Sequence, residues 1–224
     1  MTGPQFQREH IKEKRAAQKK KNTLTWAIGI AVVLLVLAAV YFLPSLGGSK
    51  ADLYLQDGFA IGDPNAPVKV EQFSDFRCHY CRQFSDEMEQ DFIKNYVDTG
   101  KVYFTFRNYP FLAEDSTAAA EAAYCAADQN KFWQYKELLF NYNALAGAYA
   151  ESNLVDYARQ VGLDTNTFEA CLAGDAHLAD LAADKAYTEG LGITSTPQFN
   201  VNGTIVYMNT LIETVDAALG TAGN

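Results

Sequence analysis

The chain has 224 residues, 49% of them hydrophobic, with 18 Lys and Arg against 27 Asp and Glu for a formal net charge of −9. Residues 1–22 hold seven Lys and Arg and two Glu, a local charge of +5, which leaves −14 on the other 202 residues. So acidic a body excludes a nucleic-acid surface, and its length suffices for one globular domain with a sizeable core.

In chain order, residues 1–22 read as a basic cytoplasmic tail, to which His10 belongs. Residues 23–43 read as a single transmembrane signal-anchor helix. The twenty residues from Leu24 to Leu43 carry no charge, the length needed to cross about 30 Å of hydrocarbon. Lys and Arg crowd the near side of this span, whereas the short stretch just after it carries only Lys50 against Asp52 and Asp57, so the N-terminus is expected in the cytoplasm and the remainder outside. A cleaved signal peptide is the rival reading. Its apolar region runs to about 7 to 15 residues and ends in a small-residue site, and neither holds here. Beside a membrane span the basic tail serves topology and contact with anionic lipid. All four cysteines lie beyond the span, an even number on the exported side, as a disulfide-permissive compartment allows.

Residues 44–61, rich in Gly, Ser and Asp, read as a linker, and 62–222 as the domain. Val68 to Phe73 has the composition of a buried strand. Cys78-His79-Tyr80-Cys81 comes next, and a helix-like stretch, Gln83 to Tyr96, succeeds it, so Cys78 is expected at a helix N-terminus. Unpaired N–H groups and the dipole there favour negative charge and lower a cysteine pKa from about 8.5 into the range of roughly 3.5 to 7.5. Cys78 then becomes an exposed nucleophile and leaving group, and Cys81, one turn on, is placed to resolve a mixed disulfide. His79 and Tyr80, between them, could add an imidazolium or a further N–H donor near the thiolate. A zinc knuckle needs four ligands, but Cys125 and Cys171 each stand alone, without a second closely spaced partner. A purely structural CxxC loop is the other alternative.

Val102 to Arg107 reads as a second strand, and about 112–191 as a helical block containing Ser116 to Asp128, Lys131 to Tyr142 and Asn153 to Val161. Phe132, Trp133, Tyr135 and Phe140 fit helix-core packing, and His177 reads as a solvated helix residue. Thr196-Pro197 precedes a hairpin, Gln198 to Val201 and Thr204 to Met208, turned at Asn202-Gly203, which supplies the positive φ angles of a type I′ turn. That turn also explains the Asn202-Gly203-Thr204 glycosylation sequon. Thr210 to Leu219 reads as a closing helix.

GDPNAPVKVEQFSDFRCHYC, with GITSTPQFNVNG much later in the chain, resembles the DsbA-like thiol-disulfide oxidoreductases of the bacterial envelope, particularly their membrane-anchored and lipid-anchored members, over about Gly62 to Leu219. The resemblance implies an α/β thioredoxin fold with an inserted helical subdomain, preceded here by the membrane helix. It implies that Thr196 and Pro197, joined by a cis bond, pack against Cys78 and with the next strand form an edge that receives an extended substrate. It also implies a structural Cys125 to Cys171 bridge, the alternative being two buried thiols. The sequence departs from the family in two places. His79 stands where relatives often have proline. Gln72 stands where they often have an acidic residue, with Glu71 moved to the opposite strand face. A neutral Gln72 cannot accept the inner thiol's proton as a carboxylate would, so Asp75 or a water is the expected substitute.

Motif, topology and resemblance together imply an enzyme that donates a Cys78-Cys81 disulfide to reduced exported proteins, as a monomer on the outer side of the bacterial cell membrane. It needs no organic cofactor and no metal. By resemblance, a membrane partner of the DsbB or vitamin K epoxide reductase-like kind would reoxidise it. One alternative is an envelope reductase or isomerase, although no stretch is long enough for a dedicated dimerisation domain. Another is a membrane-tethered chaperone or assembly factor without redox turnover.

Overall fold

The computed structural model describes residues 58–222. The expected tail, membrane span and most of the linker lie outside them, and among the described residues no helix is long and apolar enough to cross a membrane.

A single mixed sheet is built from β1 (Ala60–Ile61), β2 (Val68–Ser74), β3 (Val102–Asn108), β4 (Gln198–Val201) and β5 (Thr204–Tyr207), in the order β1-β3-β2-β4-β5. β2 and β3 are parallel, with Val70 opposite Phe104 and Ser74 opposite Asn108, and the other neighbours are antiparallel. β1 corrects the linker boundary, because residues 60–61 pair with Thr105 and Phe104. The next residue, a glycine, explains the sharp exit. Gly62 has φ +103°, and a Cβ there would stand 2.8 Å from the Val102 carbonyl oxygen, so no larger residue fits. At the other edge, Asn202 and Gly203 have φ of +48° and +94°, as a type I′ turn requires. The Asn202 amide is engaged there, its oxygen accepting from the Lys69 N–H at 2.8 Å.

β2 alternates at first, Val68 and Val70 inward and Lys69 outward, but Gln72, Phe73 and Ser74 are all buried. A central strand covered on both faces loses the period-two pattern. One face carries α1 (His79–Glu87) and α8 (Leu211–Ala222), whose Phe84, Leu211 and Val215 pack on Val70, Phe104 and Phe199. The expected single helix to Tyr96 is interrupted instead. α1 ends at Met88 (φ −125°), α2 (Glu89–Phe92) comes next, and a π turn spans Ile93–Val97. The wider turn returns Val97 to the face that already buries Phe84 and Phe92, which an α-helical step of five residues would miss.

The helical insertion comprises α3 (Ser116–Ala127), α4 (Phe132–Tyr142), α5 (Glu151–Gln160), α6 (Thr165–Ala173) and α7 (Leu178–Gly190). Phe132, Tyr135 and Phe140 are buried in a core with Phe76, Phe106, Leu154 and Phe168. Cys125 on α3 and Cys171 on α6 are joined, with S–S 2.01 Å. On the far face of the sheet, Glu71 accepts from Arg107 (2.8 Å), Tyr187 (2.7 Å) and Asn200 (2.9 Å).

Candidate active site

Cys78 caps α1. Its extended backbone (φ −71°, ψ 119°) turns the chain into the helix, and its sulfur accepts the Cys81 N–H at 3.2 Å. On the opposite side its thiol donates to the Thr196 carbonyl at 3.3 Å, just before the cis Thr196-Pro197 bond. That contact corrects the expectation of an exposed nucleophile. Cys78 is 4% exposed and Cys81 0%, whereas Tyr80 beside them is 61% exposed. Both cysteines are free thiols.

Their acidities are driven apart. A hydrogen bond from the Cys81 thiol is the largest influence on Cys78, and burial opposes it; Thr196 and the backbone N–H groups of Cys81 and Tyr80 add to the lowering, and the Cys78 pKa falls from 9.0 to about 6. Burial pushes the Cys81 thiol well up, the bond to Cys78 and its charge push the same way, and Ser74 and the Asp75 backbone counter only in part. The local donors are therefore the second thiol and backbone amides. The His79 ring, also exposed, lies edge-on to Tyr80, with centroids 5.5 Å apart.

This split sets an expected pH profile. Alkylation of Cys78 in the reduced protein should rise through pH about 6 and level off above it, with Cys81 unreactive throughout; iodoacetamide kinetics with peptide mapping would measure both. A midpoint near 9 would contradict the site's electrostatics. Because folding lowers this pKa, the reduced form gains stability that is complete above pH about 9 and is lost as the pH falls through about 6.

Neighbouring side chains hold the loop rather than move protons. Asp75 Oδ1 accepts from the Arg77 N–H (2.7 Å) and the Ser116 hydroxyl (2.8 Å), and Oδ2 from the Phe111 and Leu112 N–H groups (2.8 Å each). With four donors on two oxygens, Asp75 is a structural hub, which corrects its expected part in a proton relay. Arg77 pairs with Asp115, donates to the Asn143 and Leu145 carbonyls and lies 4.2 Å from the Tyr149 ring centroid. Together the two residues fasten the cysteine loop to segments carrying the exposed apolar side chains Phe111, Leu112 and Leu145.

The Thr196 carbonyl, just before Pro197, meets Cys78, but the expected receiving edge is not β4. That strand is paired on both sides, with β2 and β5, so any open backbone lies in the segment before it. Gln72 is fully buried on β2, its side-chain amide without a hydrogen bond among the described residues. One turn past Cys81, Ser85 accepts from Lys136 (3.1 Å), which also pairs with the buried Glu89. His177 corrects its solvated reading. It stacks on Tyr124 and bridges Asp128 (2.8 Å) and Asp180 (2.7 Å); burial works to lower its pKa, but the two carboxylates outweigh this and raise it. Asp128, His177 and Cys171 converge, yet the Cys171 sulfur is committed to Cys125 and offers no thiolate.

Sequence reasoning passed over Ser74, Arg77 and Asn108. A signal for two of them existed: Ser74 and Asn108 continue the buried-face positions of Val68-Val70 and Phe104-Phe106, so polar residues there stand out.

Comparison with known proteins gives a consistent result. The sequence model of the family described as Thioredoxin matches residues 55–220. The Na(+)/H(+) antiporter NhaA 1 of Salinispora arenicola is 31% identical over 163 residues, which cover 72% of this chain but only 24% of the antiporter. Disulfide bond formation protein D of Bacillus subtilis is 27% identical over 160 residues, 65% of this chain and 68% of that protein. The crystal structure of oxidised BdbD from Bacillus subtilis superposes with a TM-score of 0.65 at 24% identity, covering 73% of this chain and 94% of that one, a likeness of fold.

Proposed function

Since the chain belongs to the thioredoxin family, within its DsbA-like thiol-disulfide oxidoreductases, we propose that it works as an oxidase whose Cys78-Cys81 disulfide passes to reduced exported proteins. A substrate thiolate attacks Cys78 and forms a mixed disulfide; a second substrate thiol displaces Cys78, and the enzyme is left as the dithiol. Cys81 closes back on Cys78 when substrate is not released.

The observation that carries this reading is the seat of Cys78 at the start of α1, where its sulfur takes the Cys81 N–H and meets the Thr196 carbonyl while Cys81 lies fully buried behind it. A Cys78 pKa of about 6 means that the reduced site is held as a thiolate near neutrality. Stabilising the reduced form makes the disulfide the stronger oxidant, and the better leaving group is Cys78, the sulfur a substrate thiol must displace. Thr196 and Pro197 supply backbone beside that sulfur for an extended substrate segment. Tyr80, Phe111, Leu112 and Leu145 form an apolar surround suited to unfolded chains.

The protein acts on the extracytoplasmic side of a bacterial cell membrane, tethered through residues 23–43. A membrane partner of the DsbB or vitamin K epoxide reductase-like type returns the dithiol to the disulfide. The tether keeps the domain close to that partner and to emerging chains.

Equilibration of the protein with glutathione tests the direction. The expected reduction potential lies well above the thioredoxin level, toward about −120 mV. A value near about −270 mV would make the protein a reductase, and the absence of a reversible couple would leave a binding module.

A further inference from the structure

Beneath the inner cysteine lies a strip of buried polar groups, most of whose atoms no neighbour satisfies. Gln72 and Ser74 are two residues apart on β2, and Ser74 stands opposite Asn108 on β3. All three share the sheet face of Val70, Phe104 and Phe106, since side chains two apart on a strand point the same way. α1 packs on this face. Phe84, three residues past Cys81, lies 4.9 Å from Phe199, the residue opposite Gln72, and Cys81 itself clusters with Phe106, the other neighbour of Gln72. The inner thiol is thereby set above the strip.

Gln72, Ser74 and Asn108 are each at most 1% exposed. Gln72 Nε2 and Oε1 and Asn108 Nδ2 and Oδ1 make no hydrogen bond among the described residues, and the Ser74 hydroxyl has no partner there besides the Cys81 thiol it faces. A buried polar group left unmet costs the full desolvation of that group, and two such amides beside a buried hydroxyl call for a ligand. The set offers both donors and acceptors in an enclosed place, the requirement for buried water, which takes about three hydrogen bonds.

We propose that Gln72, Ser74 and Asn108 hold a buried water against the Cys81 sulfur, and that this water carries the proton which the inner thiol gains or loses during exchange. The proposal rests on the oxidoreductase reading. When a substrate thiolate bonds to Cys78 Sγ, the Cys78-Cys81 bond breaks and its electron pair stays on Cys81 as a buried thiolate. A proton drawn from solvent must then reach it. When Cys81 attacks a mixed disulfide at Cys78, a new S–S bond forms, the other thiolate leaves, and one proton passes from Cys81 through the water to solvent. The nearby charged groups are already committed: Asp75 has four donors, Glu89 is paired with Lys136, and Glu71 and Arg107 pair on the far face of the sheet. Gln72, Ser74 and Asn108 are positioning residues in this scheme, acting through the water they bind.

The test uses the full-length protein, loaded at Cys78 as a mixed disulfide with a fluorescent thiol, and monitors thiol release as Cys81 attacks. Asn108→Leu and Gln72→Met remove the polar atoms while nearly conserving volume, and Ser74→Ala removes a hydroxyl. Release is expected to slow about 10²-fold, the low end of what a positioned proton transfer contributes, with an altered pH profile and solvent isotope effect. The rate and pH midpoint of Cys78 alkylation should stay as they were. Ser74→Thr, which keeps the hydroxyl, should restore release lost in Ser74→Ala. If Asn108→Leu does not fold, Gln72→Met carries the same readout. Unchanged release and isotope effect in the folded variants would overturn the relay alone. No release from the unaltered protein would overturn the oxidoreductase reading and the relay with it.

Discussion

Cys78→Ser is expected to bring disulfide transfer to a reduced, unfolded test protein down to the uncatalysed rate, a loss on the order of 10³-fold or more. The reason is positional as well as chemical. Cys78 combines the helix cap, the lowered pKa and the contact with Thr196, and no other described free thiol shares them. Cys81→Ser should behave differently. Cys78 still attacks and is attacked, but the resolving thiol is gone, so mixed disulfides accumulate and can be trapped on a non-reducing gel. Full activity of Cys78→Ser in that assay would leave the chain a binding protein with an incidental CxxC.

Replacing Cys125 and Cys171 together by alanine is expected to lower the unfolding free energy by roughly 3 to 4 kcal/mol, the chain-entropy value for a closed loop of this size, here 46 residues. The bridge joins the first helix of the insertion to the fourth, and buried Ala and aromatic side chains fill the space between them. Urea denaturation of the double variant would show the loss as an earlier midpoint. Mass mapping without reductant offers a second check, since two alkylatable thiols at these positions in oxidised protein would mean that no bridge forms.

Much of the sheet was legible because its signals are local. Val68 to Phe73 and Val102 to Arg107 declare themselves by composition, and Asn202-Gly203 fixes the hairpin through backbone φ alone. Cys78 at the helix start could be inferred from the order of strand, CxxC and helix. What escaped depends on partners far along the chain. β1 is two residues long and exists only by pairing with β3. The break at Met88 and the π turn answer to the spacing of Phe84, Phe92 and Val97 against the sheet. Asp75 had the right chemistry for a proton acceptor, yet its loop spends both oxygens on N–H and hydroxyl donors from Arg77, Phe111, Leu112 and Ser116. The near-complete burial of Cys78 likewise depends on Thr196, 118 residues away.

The Cys125-Cys171 bridge makes the protein a client of its own kind of chemistry. Under the proposed activity, each newly exported copy has its own structural cystine to acquire, and older copies can supply it.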